Sequence, residues 1–265
     1  MVEMIYRLLI ELTNRKSTSR ILAKFTNSTI SRILIPSFVK VYNIRLDEIE
    51  KPLVEYKSLH EFFTRRLKSR ARMIYEDPDS VISPVDATIE DFGRISLDHS
   101  FIVKGKQYSI SELLGSEQKV QKYLNGTYMI FYLSPSDYHW IHSPVTCKVV
   151  DQWVLGTKSY PVNKYGLKYG KKPLSTNYRL MSEVWMNDVS MVIVKVGAMF
   201  INSIEMVEEG DVWKKGNEIG YFSFGSTVIL LFEEGRFEPS IASRVPCKVK
   251  VGEFIGSIKK TSNIR

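Results

Sequence analysis

From Val81 onward the chain is a succession of short apolar runs rich in β-branched and aromatic residues. Val81-Ile82, Thr88-Ile89, Phe101–Val103, Tyr128–Leu133, Lys148–Val150, Val184-Trp185, Met191–Val196 and Val228–Phe232 follow one another, separated by Gly and Pro at roughly regular intervals. That is the pattern of a β-rich domain. Ser109–Leu114 is the exception and reads as one short helix with Ser109 or Ser111 as its N-cap. Before Val81 the period changes. Ile5, Leu8, Leu9 and Leu12 recur at helical spacing, as do Ile30, Ile33 and Leu34 and then Phe38 and Val41, with Pro36 starting or bending a helix. Asp77-Pro78-Asp79 is a breaker and marks the boundary. The expected fold is therefore α+β: amphipathic helices over residues 1–76, then a β-rich, sandwich- or barrel-like domain over 77–265.

The charge has a direction. The 265 residues carry a formal net charge of +8, which implies an anionic partner such as nucleic acid, anionic lipid or a phosphate-bearing substrate. Over residues 1–45, Arg7, Arg15, Lys16, Arg20, Lys24, Arg32, Lys40 and Arg45 stand against only Glu3 and Glu11. A basic amphipathic segment suits a membrane surface; it equally suits helices packed on the rest of the protein with their charges solvated. No apolar run approaches the roughly 20 residues that span a bilayer, and the charges at Glu3, Arg7 and Glu11 speak against a secretory leader. Cys147 and Cys247 lie far apart without metal-type spacing, as expected of a reducing compartment.

Gly225-Ser226-Thr227 stands immediately before Val228–Phe232. Glycine leaves the peptide bond to Ser226 sterically open, and a hydroxyl at that place could attack the carbonyl just before it. Taken alone, Gly-Ser-Thr is more often a turn feeding a strand. Its meaning depends on what the chain can bring to Ser226. Ser134–Pro144 contains His139 and His142. A metal would need a third ligand, and no further His or Cys cluster offers one, so the expectation is no metal and a role in proton transfer. Asp86, in Ser83-Pro84-Val85-Asp86, supplies an acid, although an Asp after a proline also bonds its own turn. An acid, a histidine and a hydroxyl are recognised by geometry and role rather than chain order. The Gly-x-Ser-x-Gly elbow of many hydrolases is absent. A long strand-poor stretch, 156–179, mixes basic residues with tyrosines, among them Tyr165, Lys171 and Lys172. It fits single-stranded nucleic acid or a loop over a phosphate-bearing headgroup, and loops of this length are usually functional.

Several of these pieces, in order, resemble the phosphatidylserine decarboxylase proenzymes. They are Phe62–Lys68, Ser83–Asp86, Val103–Ser109, Asp137–Pro144, Val196–Ala198 with Ser203-Ile204, and Lys215–Val228. Gly-Ser-Thr by itself is weak; the ordered set is specific. Two positions depart from the family's usual pattern. Ala87 replaces a glycine after the acid, and is strained if that position needs positive φ. Trp140 replaces an arginine between the histidines and cannot carry its charge.

The resemblance implies a self-processing, pyruvoyl-dependent enzyme. His142, oriented by Asp86, would deprotonate Ser226, whose oxygen would attack the Gly225 carbonyl. The ester so formed would eliminate, releasing residues 1–225 and leaving a pyruvoyl group at the head of residues 226–265. The two fragments would remain together as a heterodimer, and a homodimer of these is compatible with the resemblance. The pyruvoyl carbonyl would form a Schiff base with the amine of phosphatidylserine and act as electron sink when CO₂ departs, giving phosphatidylethanolamine. His142 would then deliver a proton, with His139 as second candidate. The basic helices would lie on the cytoplasmic face of the cell membrane, against anionic lipid, with Tyr165, Lys171 and Lys172 bordering the headgroup and no nucleic acid involved. The competing readings are a Ser-His-Asp hydrolase, a basic β-rich binding module, and a decayed relative that has lost activity.

Overall fold

The structure, a computed structural model, describes residues 16–96, 100–103, 105–198, 203–240 and 245–260. The helical spacing at Ile5–Leu12 lies outside them. The chain opens with α1 (Lys16–Asn27) and α2 (Ile35–Tyr42), joined by a 3-10 turn at Thr29–Leu34. Pro36 stands in the first turn of α2, where its missing N–H costs nothing. Asn43 ends that helix in the left-handed region, at φ 50, a C-cap that asparagine tolerates. In α3 (Leu59–Phe63) the Ser58 side chain accepts the Glu61 N–H. No strand precedes Ser80 among the described residues.

The β-rich part runs β1 (Ser80–Ile82), β2 (Ala87–Arg94), β3 (Ser100–Val103), β4 (Lys106–Ser109), α4 (Ile110–Leu114) and α5 (Glu117–Tyr123). It continues with β5 (Thr127–Leu133), β6 (Trp140–His142), β7 (Cys147–Leu155), α6 (Lys164–Tyr169), α7 (Pro173–Thr176), β8 (Arg179–Met186) and β9 (Val189–Gly197). Then come β10 (Ile204–Met206), β11 (Val212-Trp213), β12 (Glu218–Phe222), β13 (Ser226–Phe232), β14 (Phe237–Pro239), β15 (Cys247–Val249) and β16 (Phe254–Ile258). Each sequence-expected strand exists, and Ser109 is the N-cap of α4. The stretch 156–179 is less irregular than expected, since it contains α6 and α7.

Eight strands form one sheet in the order β11-β7-β8-β9-β13-β5-β2-β15. The sheet stays open, so the fold is not a closed barrel. β13 lies inside it, antiparallel to β9 on one side and β5 on the other, and every one of its seven residues is buried. Successive side chains point to opposite faces. Val228, Leu230 and Phe232 join one core, together with Ile141, Ile219, Phe222 and Ile255 from the three-stranded sheets β10-β12-β6 and β1-β16-β14. Ile229 and Leu231 join the other, under α4, α5, α6 and the β3-β4 hairpin. A strand covered on both faces reads as a continuous apolar run, which explains Val228–Phe232. Leu230→Ala should cost about 2–5 kcal/mol, the range for a truncated core leucine. A urea titration followed by near-ultraviolet circular dichroism would measure it.

Candidate active site

Ser226 opens β13, opposite Leu133 of β5 and Gly197 of β9. Its side chain is buried and its Oγ has no hydrogen-bond partner. Leaving a buried hydroxyl unsatisfied costs about 1–3 kcal/mol, so such an atom calls for an explanation. Thr227 Oγ1, Ser203 Oγ and His139 Nε2 are likewise buried without partners, and Ser203 Oγ lies 2.2 Å from where a Cβ at Gly197 would stand.

Gly225 faces open space, since a Cβ there would meet nothing within 4 Å. It is not among the positive-φ glycines, so neither crowding nor backbone conformation demands a glycine. The space beside it is a cavity of about 140 Å³, lined among others by Phe38, Tyr42, Phe63 and Phe224. The peptide unit before Ser226 therefore borders a pocket instead of packed atoms.

The β6-β12 ladder sets the two histidines at different heights along β12. The two strands are antiparallel, with His142 opposite Glu218 and Trp140 opposite Tyr221. The carbonyl of His139 accepts the Phe222 N–H at 2.9 Å. His139 thus stands at the end of β12 that turns through Ser223–Gly225 into β13, and His142 at the other end. Phe63 bridges the remaining gap: its ring lies 4.0 Å from the His139 ring and 5.0 Å from that of Phe224. Nδ1 of His139 is 2.9 Å from the Asp137 carbonyl. A carbonyl only accepts, so Nδ1 carries the hydrogen and Nε2 the free lone pair. Burial, assisted by the nearby Arg65 charge, pushes the imidazole down to about 3. His139 is a neutral base at any physiological pH.

His142 and Asp86 form a different group. Nδ1–H of His142 donates to the Gly216 carbonyl at 2.7 Å, and Nε2 lies 3.4 Å from the Tyr138 hydroxyl. Burial lowers its pKa; the Gly216 bond, Glu218 and Asp86 oppose that shift. The Asp86 carboxylate is gripped by the Arg72 guanidinium and accepts the Val251 N–H at 2.9 Å. The structure therefore brings Asp86 and His142 into one charged neighbourhood, while the hydrogen bonds of each go elsewhere and neither bonds Ser226. The 156–179 stretch reaches the Gly225 cavity through Pro161, Val162 and Asn163. Lys172 instead pairs with Glu112 at 2.8 Å, and Lys171 is exposed. The Tyr165 side chain lies outside the described residues.

The family model described as phosphatidylserine decarboxylase matches residues 59–257. The chain belongs to the phosphatidylserine decarboxylase family. It is 57% identical over 256 residues to the phosphatidylserine decarboxylase proenzyme of Anoxybacillus flavithermus, covering 97% of each chain. It is 53% identical over 259 residues to the protein of that name from a Geobacillus species, covering 98% of this chain and all of the relative. The proenzyme of Bacillus thuringiensis subsp. konkukian is 52% identical over 253 residues, 96% of this chain and 97% of that one.

Neither departure from the family pattern strains the fold. Ala87 has no positive φ; it is an ordinary strand residue of β2 paired with Val249. Trp140 carries the Arg66 guanidinium 4.1 Å above its ring and donates its indole N–H to the Thr64 carbonyl at 2.9 Å. A cation still stands at this place, supplied from another segment. Sequence reasoning gave no role to Phe63, Arg65 or Arg72, which carry His139, the 134–139 loop and Asp86. Phe63 and Arg65 lie within a family motif, but Ser136, Asp137, His139 and Phe224, which they touch, are all more than 70 residues away and no local spacing announces them.

His139 titrates at about 3 in the folded chain and at 6.5 when freed. Between those values the unfolded chain binds a proton that the native one does not, so stability falls as the pH drops below about 6.5. The contribution is at most about 1.4 kcal/mol per pH unit. Urea midpoints from pH 7 to pH 5 should fall in the wild type, and His139→Gln should remove one proton's share of that slope.

Proposed function

We propose that the chain converts phosphatidylserine to phosphatidylethanolamine and CO₂ with a pyruvoyl group made from its own Ser226. The observation that carries this reading is the unsatisfied Ser226 Oγ beside an open Gly225, with the free Nε2 of His139 at the same turn. His139 takes the hydroxyl proton and Oγ attacks the Gly225 carbonyl carbon. The C–N bond breaks as the nitrogen is protonated, leaving an ester between Gly225 and Ser226. Loss of the Ser226 α-proton expels the Gly225 carboxylate and leaves dehydroalanine. Water then displaces ammonia and residue 226 becomes the pyruvoyl cap.

Residues 1–225 and 226–265 remain associated, because β13 pairs along its whole length with β5 and β9. The pyruvoyl carbonyl supplies an electrophile for the substrate amine and an electron sink for the pair left by CO₂. A proton drawn from solvent passes through His139 Nε2 to the former α-carbon and takes the place of the departed CO₂. Tyr138 joins this machinery to the Asp86 and His142 group, which positions the 134–139 loop.

Intact mass tests the reading and the choice of histidine together. The wild type should give two fragments, with 226–265 one ammonia lighter than simple hydrolysis leaves it. Ser226→Ala and His139→Ala should stay full length, and His142→Ala should still be cut. Cleavage in His139→Ala with none in His142→Ala returns the base to His142 oriented by Asp86. An active wild type of full-length mass sinks the pyruvoyl reading.

The helical region supports a peripheral place on the cytoplasmic membrane face. Ile21, Ile30, Ile33 and Val41 are each more than 70% exposed, interleaved with Arg20, Lys24, Arg32 and Lys40. Beneath them Ile35, Ile44, Tyr56 and Phe62 form a core of their own. An apolar face with a basic rim fits an anionic bilayer. Phe38 and Tyr42 of α2 line the Gly225 cavity, so a lipid held there is close to Ser226. Among the described residues no helix is long and apolar enough to cross a membrane, and both cysteines are free thiols, as in a reducing compartment. Ile30→Ser with Ile33→Ser should reduce cosedimentation with anionic vesicles without lowering the urea midpoint; unchanged sedimentation counts against this face.

A further inference from the structure

The hydroxyls of Ser203, Ser226 and Thr227 are all buried without partners, and the chemistry at Ser226 uses only one of them. Thr227 follows Ser226 in an extended strand, so its side chain points to the other face of the sheet. Ser203 reaches the face on which Ser226 stands, and the register of β9 and β13 shows why. Gly197 lies directly opposite Ser226 in that antiparallel ladder. A side chain at 197 would therefore stand beside that of Ser226, with the two Cβ atoms about 4.5–5.5 Å apart. Ser203 Oγ takes the place of that missing side chain, 2.2 Å from the ideal Cβ position. The glycine is thus needed at 197 for the room it leaves to Ser203.

Two backbone bonds tie this hydroxyl to the turn before the strand. The Ser223 N–H donates to the Ser203 carbonyl at 2.8 Å, and the preceding amide, the Phe222 N–H, to the His139 carbonyl at 2.9 Å. Consecutive amides leading to Gly225 are held by the two residues that carry idle polar atoms. Ser203 is 1% exposed, and Ile204 after it opens β10 and joins the core. A hydroxyl sealed there costs about 1–3 kcal/mol that an alanine would not. The seal excludes any diffusing ligand, so the acceptor that justifies the hydroxyl has to come from the chain itself.

We infer that Ser203 is a further catalytic residue of the self-cleavage: its hydroxyl donates to the Gly225 carbonyl oxygen when Ser226 Oγ adds to the carbonyl carbon. The inference rests on the cleavage at Ser226. In that step the Oγ–C bond forms, the carbonyl π pair moves onto oxygen, and the Ser226 proton passes to His139. The oxygen takes up negative charge, and a donor already in place stabilises it without reorganisation. The hydroxyl is unbonded in the resting chain, so its hydrogen bond is made only as the charge develops, which is the condition for lowering a barrier. Ser203 itself transfers no proton. When the C–N bond breaks, the pair returns to form the ester carbonyl and the donor is released.

Cell-free synthesis of the full chain, sampled over time and read by intact mass, tests it. The wild type should convert to fragments 1–225 and 226–265. Ser203→Ala should convert roughly ten- to a hundredfold more slowly, the loss of one hydrogen bond to a charged group. Ser203→Cys, a weaker donor, should fall between the two. Stability is compared in uncut chains: adding Ser203→Ala to Ser226→Ala should not lower the urea midpoint, because the hydroxyl has no partner to lose. Equal cleavage rates in the wild type and Ser203→Ala overturn the inference and leave the chemistry at Ser226 standing. A midpoint that falls with Ser203→Ala also overturns it, since the hydroxyl is then structural. A wild type that is never cut removes the Ser226 reading and this inference together.

Discussion

β13 exchanges backbone hydrogen bonds with β9 on one side and β5 on the other, from Ser226 to Phe232. Both its faces are sealed by core, so its position is set by two ladders and two hydrophobic layers at once. Everything else about the candidate site depends on that. A serine at the head of such a strand cannot swing away to find water or a partner. The preceding residue, just outside the ladder, is free to face a cavity. The fold thus creates a sharp boundary at one peptide bond, rigid on its C-terminal side and open beside Gly225.

The N-terminal region is part of this arrangement and not an appendage. Phe63 lies between His139 and Phe224, Arg65 ties down the carbonyls of Ser136 and Asp137, and Arg72 grips Asp86. Trp140 reaches back to Thr64. The boundary expected at Asp77–Asp79 is a change of secondary structure, yet the residues before it complete the walls around the residues after it. The same helices present exposed isoleucines outward and line the Gly225 cavity inward with Phe38 and Tyr42. The exposed apolar surface and the wall of the Gly225 cavity are two faces of one short helical unit.

The strands were legible because their apolar runs are uninterrupted, and the helix at Ser109 because its cap is local. β6, with only three residues, and the small β10, β11, β14 and β15 left too little pattern to be read. The site was partly legible. Gly225, Ser226, Asp86 and the two histidines could be picked out by residue type and by an ordered set of motifs. The different surroundings of His139 and His142 were not, since they arise only when β6 pairs with β12 and His139 bonds Phe222. Charge and the neighbouring tyrosines mark Lys171 and Lys172 as headgroup candidates; the ion pair of Lys172 with Glu112, sixty residues away, is written in no local pattern.

Sequence alone determined the α+β order, the family, the Gly225-Ser226 bond and the supply of titratable groups, because these are written in local periodicity and residue identity. Tertiary structure alone decided which of those groups meet. It left Ser226 Oγ and His139 Nε2 buried without partners, drew Asp86 to Arg72, and sealed Arg65 Nε away from solvent with no partner. The physical reason is that satisfaction of a buried polar atom is a long-range property. Whether a donor or acceptor finds a partner depends on segments far apart in the chain, and no local pattern records it.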